Sequence, residues 1–200
     1  MKGIEIEVVS GAFTRLAVDT LVVPVPSNER PLQGAAGWLD WRMCGQISQE
    51  IQGGHLSGEA HEALLLAGHP PVRASRVLLV GIGSAELLPG RGIQDAFREL
   101  TGRLMGLRSE RAVVALPGSI DPLQDAEAVL RGCLQSASSS RGERVLRLML
   151  PGSLQWLHAF REAAIELADE TRRRQVLLMI EPSADADFGS GASPSSRALH

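Results

Sequence analysis

The residues of this chain best suited to chemistry are suited to holding an anion, not to breaking a bond. Asn28 follows a run of valines and prolines, Gly34 and Gly37 bracket the start of a helical pattern, and Gly118 and Ser119 follow a second apolar run ending at Leu116. If both runs are parallel strands, these three segments meet at the carboxyl ends of the strands, where open α/β sheets take their ligands. A helix start offers unpaired N–H groups and glycine lets a ligand approach the backbone, which is what a diphosphate requires. Two features count against this reading. Pro24 and Pro26 have no N–H to give, and glycines at such places also serve as structural turns and helix caps.

Other constellations read more simply as structure. Gly81-Ile82-Gly83 follows an apolar run but lacks the third glycine and the acidic residue of a dinucleotide fingerprint, so it is taken as a strand-to-helix turn. His55, His61 and His69, with Glu59 and Glu62, do not show the helical i, i+4 pairing of a zinc site; solvated or loop-capping histidines are expected and no metal is assigned. His158 is read as an ordinary boundary residue of an amphipathic helix. No Gly-x-Ser-x-Gly elbow occurs, neither Cys44 nor Cys133 has a neighbouring base, and nucleophilic catalysis has no support in the sequence. Both cysteines sit among apolar residues and are expected to be buried thiols. Arg172, Arg173 and Arg174 close a helix, where cations offset its dipole. Together with Arg98, Arg103, Arg108 and Arg111 they form the one candidate for a DNA-contacting patch, with few aromatics to stack on bases.

The elements that must position these residues alternate. Ile4 to Val8 has the period of a strand with one wet face and is placed in the edge region of a sheet. Thr20 to Val25 is nearly continuous and apolar, as for a strand covered on both sides. Leu39, Met43, Ile47 and Ile51 recur every four residues and predict a single amphipathic helix from Gln33, ended by Gly53-Gly54. Ala63 to Ala67 and Val77 to Gly83 read as interior strands. A helix follows with Ile93, Phe97, Leu100 and Leu104 on one face, then a strand from Ala112 to Leu116. Next come a helix marked by Leu123, Ala126, Leu130 and Cys133, and a strand from Val145 to Leu150. The pattern closes with a helix whose Leu154, Leu157, Ala164 and Leu167 point inward, and a strand from Val176 to Ile180. Strands joined by crossover helices predict a three-layer α/β/α sandwich with a mostly parallel mixed sheet.

The 200 residues, 44% hydrophobic and 22% charged, suit one domain with a core of its own. That domain is expected over 1–182. Residues 183–200, rich in Ser, Ala, Asp, Gly and Pro, are expected to be a disordered tail. The net charge of -3, with interspersed signs, speaks against a strongly electropositive nucleic-acid binder. The acidic residues inside the first apolar run do not fit a signal peptide, and no apolar run approaches the roughly 20 residues that span a bilayer, so a cytoplasmic setting without membrane contact is expected. Lysine occurs once, at Lys2, which leaves lysine chemistry almost no candidates.

Two stretches carry a family resemblance. One is Asp19-Thr20-Leu21-Val22-Val23-Pro24-Val25-Pro26-Ser27-Asn28 followed by Leu32-Gln33-Gly34-Ala35-Ala36-Gly37-Trp38-Leu39-Asp40. The other is Gly54-His55-Leu56-Ser57-Gly58-Glu59 followed by Arg76-Val77-Leu78-Leu79-Val80-Gly81-Ile82-Gly83. In order and spacing they resemble the amino-terminal domain of leucyl (cytosol) aminopeptidases, and Leu116-Pro117-Gly118-Ser119-Ile120 resembles the diphosphate-wrapping loop of macro domains. The resemblance implies a macro-domain fold. It also implies that Asn28 stands where a macro-domain asparagine contacts the distal ribose of ADP-ribose, and, more loosely, that Asp19 stands where an acid binds adenine. The family's peptidase chemistry belongs to a carboxy-terminal two-metal domain, which this chain is expected to lack, so neither peptidase activity nor a cofactor is expected. The leading expectation is a non-catalytic binding or protein-interaction module, self-association included. An ADP-ribose-like or nucleotide ligand, read or hydrolysed, is the alternative, and DNA binding the second alternative.

Overall fold

The computed structural model describes residues 2–9, 16–70, 72–85, 90–116, 121–139, 145–174 and 176–182. Gly118, Ser119 and residues 183–200 lie outside the described residues. Among the described residues, seven strands form one sheet: β1 Lys2–Val9, β2 Thr20–Val25, β3 Ala63–Ala67, β4 Arg76–Gly81, β5 Arg111–Val114, β6 Val145–Pro151 and β7 Val176–Pro182. Their spatial order is β3-β4-β2-β5-β6-β1-β7. Only β3 runs antiparallel to its neighbour; the other pairs are parallel. The helices are α1 Gly34–Arg42, α2 Gln46–Gln52, α3 Arg91–Gly106, α4 Pro122–Ser139, α5 Leu154–Glu166 and α6 Ala168–Arg174. Among the described residues, no helix is long and apolar enough to cross a membrane.

The uninterrupted apolar run of β2 is explained by two cores. Successive side chains point to opposite faces of a strand, so Val22 joins Leu78, Val80, Ala112 and Val114 under α3, α4 and α5. Leu21, Val23 and Val25 pack with Val77 and Leu79 beneath Ala36 and Leu39 of α1, Met43 just after it and Ile47 of α2. Ile93, Phe97, Leu100 and Leu104 form the buried face of α3, in line with their spacing. Gly132 of α4 lies so close to α3 that a methyl there would sit 2.3 Å from the Gln94 carbonyl oxygen.

Three expectations need correction. The helix predicted from Gln33 is two helices, because Cys44 (φ 55°) and Gly45 (φ 81°) take left-handed conformations that no α-helix continues through. Its apolar spacing survives only because α2 restarts with Ile47 in phase with Leu39 and Met43. β3 is an edge strand, not an interior one, and Leu65 is 45% exposed. β1, placed in the edge region, is the last strand but one, between β6 and β7. Its glutamates stand on the face that no described helix covers, where the Arg147 Nε lies 2.8 Å from both Glu5 and Glu7. Leu154 opens α5 with its side chain exposed, although Leu157 and Leu167 are inward.

The two cysteines also part company. Cys133 is fully buried beside the Thr101 hydroxyl, and burial pushes its thiol up to about 12. Cys44 is exposed, because the break between α1 and α2 turns it outward. An aromatic disulfide reagent at neutral pH is therefore expected to titrate one thiol in the native protein and both in denaturant. Rapid reaction of two thiols in the native state would contradict the buried position of Cys133.

Candidate functional site: a cleft at the carboxyl ends of β2 and β5

The loops after β2, β4 and β5 and the start of α1 enclose a cleft of about 320 Å³. Pro24, Pro26, Glu29, Gln33, Gly34, Ala35, Ala36, Ala85, Ala115 and Leu116 line it. It is open: Trp38 is not among its lining residues and stays 40% exposed. Gly34 begins α1 at φ 53°, with open space where a Cβ would be, and no side chain caps the helix start at Gln33. That helix end is the cleft's favourable feature for an anion. Pro24 and Pro26 supply no N–H, and Glu29 brings a like charge.

The structure brings Asn28 near the cleft but commits its amide elsewhere. Its Nδ2 donates to the Ser84 hydroxyl at 3.0 Å and its Oδ1 accepts from the Ala85 N–H at 3.2 Å, so it ties the loop after β2 to the loop after β4. Arg30, which the sequence did not single out, fixes the same loop. It donates to the carbonyls of Pro26 at 2.8 Å, Glu29 at 2.7 Å and Ser57 at 2.7 Å. Gly37 faces away from the cleft lining. A methyl on it would lie 2.3 Å from the Leu32 carbonyl oxygen, so its role is close packing of the loop on α1.

Asp19 is not brought to the cleft at all. It precedes β2 while the cleft follows it, a separation of roughly 20 Å at strand rise. Its carboxylate is occupied there: Oδ2 accepts from the Glu110 and Arg111 N–H groups at 2.7 and 2.9 Å, and Oδ1 from the Thr20 hydroxyl at 2.7 Å. Arg76 lies 3.4 Å from Oδ1. Thr20, fully buried, also shares a 2.8 Å hydrogen bond with Ser109. Burial raises the Asp19 pKa, but the Arg111 N–H, the Thr20 hydroxyl and the Glu110 N–H outweigh it and hold the carboxyl below its ordinary value. The one sequence signal for this cluster was the polar pair Asp19-Thr20 at the head of an otherwise apolar strand.

Gly81 and Gly83 accommodate a crossing segment as well as a turn. A methyl on Gly81 would sit 2.0 Å from the Glu59 carbonyl oxygen. The Gly81 N–H donates to the Glu62 carbonyl and the Gly83 N–H to the Gly58 carbonyl, each at 2.9 Å. Glu62 folds that segment by accepting from the Ser57 N–H, the Ser57 hydroxyl and the Gly58 N–H at 2.7, 2.8 and 2.9 Å. The histidines are similarly engaged: His55 with Glu50 at 2.7 Å, His61 with Glu99 at 2.6 Å and His69 with Gln46 at 3.2 Å. Among the described residues, no group of three His, Cys, Asp or Glu side chains is placed to hold a metal ion. The arginines are largely neutralised: Arg98 pairs with Asp95, Arg103 with Glu99, Arg172 with Asp169 and Arg174 with Glu170.

The fold has known counterparts. A tomato leucine aminopeptidase variant matches 84% of this chain with 36% of its own, at a TM-score of 0.63 and 17% identity. An Oceanobacillus iheyensis macrodomain variant solved with ADPR matches 82% of this chain and 94% of its own, at a TM-score of 0.59 and 12% identity. Such identities show the fold alone, and that fold is the macrodomain-like α/β sandwich. By sequence, a probable cytosol aminopeptidase of Pseudomonas syringae pv. tomato is 37% identical over 112 residues, which are 56% of this chain and 22% of that protein. The chain thus aligns with about a fifth of the length of that curated relative. The family model described as the N-terminal domain of the cytosol aminopeptidase family matches residues 22–141, more than half of the chain, and the chain belongs to that family.

Proposed function

We propose that this domain is a non-catalytic binding and protein-interaction module of the cytosol aminopeptidase family, working in the cytoplasm. The observation that carries this reading is the outer face of α1. Trp41 is 72% exposed and Trp38 40%, and the Arg42 guanidinium sits 5.9 Å from the Trp41 ring centroid and 5.4 Å from that of Trp38. Tryptophan and arginine are the residues over-represented where interfaces concentrate their binding energy, and a large aromatic surface is costly to leave in water. Sedimentation and pull-down from the native host test the reading. Self-association or a partner retained by the chain and lost with Trp41→Glu supports it, and a strict monomer that recovers nothing counts against it.

The alternative, an ADP-ribose or nucleotide site, is favoured by the uncapped α1 start and the open cleft at Gly34. Against it stand the engaged Asn28 amide, the misplaced Asp19 and the charge of Glu29. Calorimetric titration with ADP-ribose is expected to give no heat of binding up to millimolar ligand. Micromolar binding that is lost in Asn28→Ala would make the cleft the functional site instead. DNA binding has less support, because most arginines of its candidate patch are already paired with carboxylates on their own helices.

A further inference from the structure

One half of the sheet has no helix on one of its faces among the described residues. The core beneath α1 and α2 draws on β2, β4 and β5 and ends at Val9 of β1 and Met149 of β6. Beyond it, α4 and α5 build the opposite core, and α6 packs against α4, α5 and β7. By register, the uncovered face carries Val145 and Arg147 from β6, Glu5 and Glu7 from β1, and Leu177, Met179 and Glu181 from β7. It is apolar at its floor, with Val145 40% exposed. It also carries three carboxylates: Glu5 and Glu7 pair with Arg147, Glu181 acts on the same guanidinium, and Arg111 stands opposite Arg147 on β5.

The outer face of α1 has the complementary character. It presents two exposed indoles and the Arg42 guanidinium, and the buried Nε of Arg42 has no hydrogen-bond partner among the described residues. Both surfaces lie on the same side of the sheet, next to each other. A two-fold axis parallel to the strands would therefore set the α1–α2 layer of each copy onto the open half-sheet of the other, a self-complementary contact. Three strands about 4.8 Å apart and seven residues long give a face of roughly 350 Å², and the four faces of such a pair total about 1,400 Å², within the usual range for a stable interface.

From this arrangement we infer that the occupant of the open half-sheet is the α1 face of a second copy of this chain. The inference rests on the reading of the domain as an interaction module and names its partner. It predicts a two-fold symmetric, five-layer dimer in which Arg42 of each copy faces the carboxylates of the other.

Sedimentation velocity on the full 200-residue chain tests it. A monomer–dimer equilibrium at micromolar concentration is expected, with Trp41→Glu weakening it by roughly tenfold or more and Arg42→Glu or Glu181→Arg each weakening it less. The combined Arg42→Glu and Glu181→Arg variant is expected to recover part of the loss, which a merely unfolded or generally weakened surface would not. All three positions are at the surface or half-buried, and a circular dichroism melt on each variant confirms folding. A monomer at every concentration overturns the inference, and so does a dimer that Trp41→Glu leaves intact. In the second case the interaction-module reading stands with a different surface. In the first it stands only if the pull-down recovers another protein through Trp41.

Discussion

Gly81→Ala is expected to lower the unfolding free energy by about 3 kcal/mol or more, and a folded, soluble variant with unchanged thermal stability would refute the packing described for the loop after β4. The added methyl would sit 2.0 Å from the Glu59 carbonyl oxygen, a backbone atom that no rotamer change can move. Relief requires the 58–62 segment to back away, and that segment is held by the Gly81 and Gly83 N–H groups donating to Glu62 and Gly58. Moving it breaks both bonds and also strains Gly58, whose own Cβ position would be 2.7 Å from the Pro26 carbonyl oxygen. The damage therefore reaches the loop after β2, which forms one wall of the cleft. Gly106→Ala supplies the control: nothing lies within 4 Å of its Cβ position at the end of α3, and alanine is the better helix former, so a gain of up to about 1 kcal/mol is expected there. Chemical denaturation of both variants separates the crowding at Gly81 from the general cost of losing a glycine.

That crowding shows why the sequence was readable in some places and silent in others. Features set by the chain's own periodicity were legible. The valines of β2 announce burial on both faces, and Ile93, Phe97, Leu100 and Leu104 announce the inner face of α3. Features set by distant backbone were not. Nothing near Gly81 reveals that Glu59 crosses it, and nothing near Asp19 reveals that β5 begins on its carboxylate. The break at Cys44 and Gly45 was hidden because the apolar spacing on either side stays in phase. β3 looked interior because three consecutive leucines read the same at an edge as at the centre, and only the pairing partner distinguishes them.

The candidate site divides along the same line. Gly34 could be placed at the cleft from its position after β2 and before a helical pattern, which is local information. The state of the Asn28 amide could not, because its partners Ser84 and Ala85 come from the loop after another strand. A residue type that suits a ligand is also the type that stitches loops together, and only the partner list decides between the two. Here the partners of Asn28 are those of a stitch between two loops.

Asp19→Ala is expected to cost about 3 kcal/mol at neutral pH, far more than a typical surface carboxylate, because it leaves several donors without their acceptor. The N–H groups of Glu110 and Arg111 would lose the bonds that start β5 in register with β2, and the buried Thr20 hydroxyl would keep only Ser109. Asp19→Asn retains one acceptor oxygen and is expected to cost less, about 1–2 kcal/mol, since one of its two ends must present N–H groups to donors. The pH dependence provides the sign. Burial raises the Asp19 carboxyl's pKa, but the hydrogen bonds from Arg111, Thr20 and Glu110 lower it further, so the folded value lies below the unfolded one. A depressed carboxylate contributes its stability above the unfolded pKa of about 4 and loses it as pH falls through the folded value. Denaturation curves of the native chain and Asp19→Ala are thus expected to stay separated by a constant gap from pH 5 upward and to converge in strong acid. A gap that widens on acidification would mean that the carboxylate is not the group holding the start of β5, and that the main-chain bonds between Asp19 and Arg111 suffice without it.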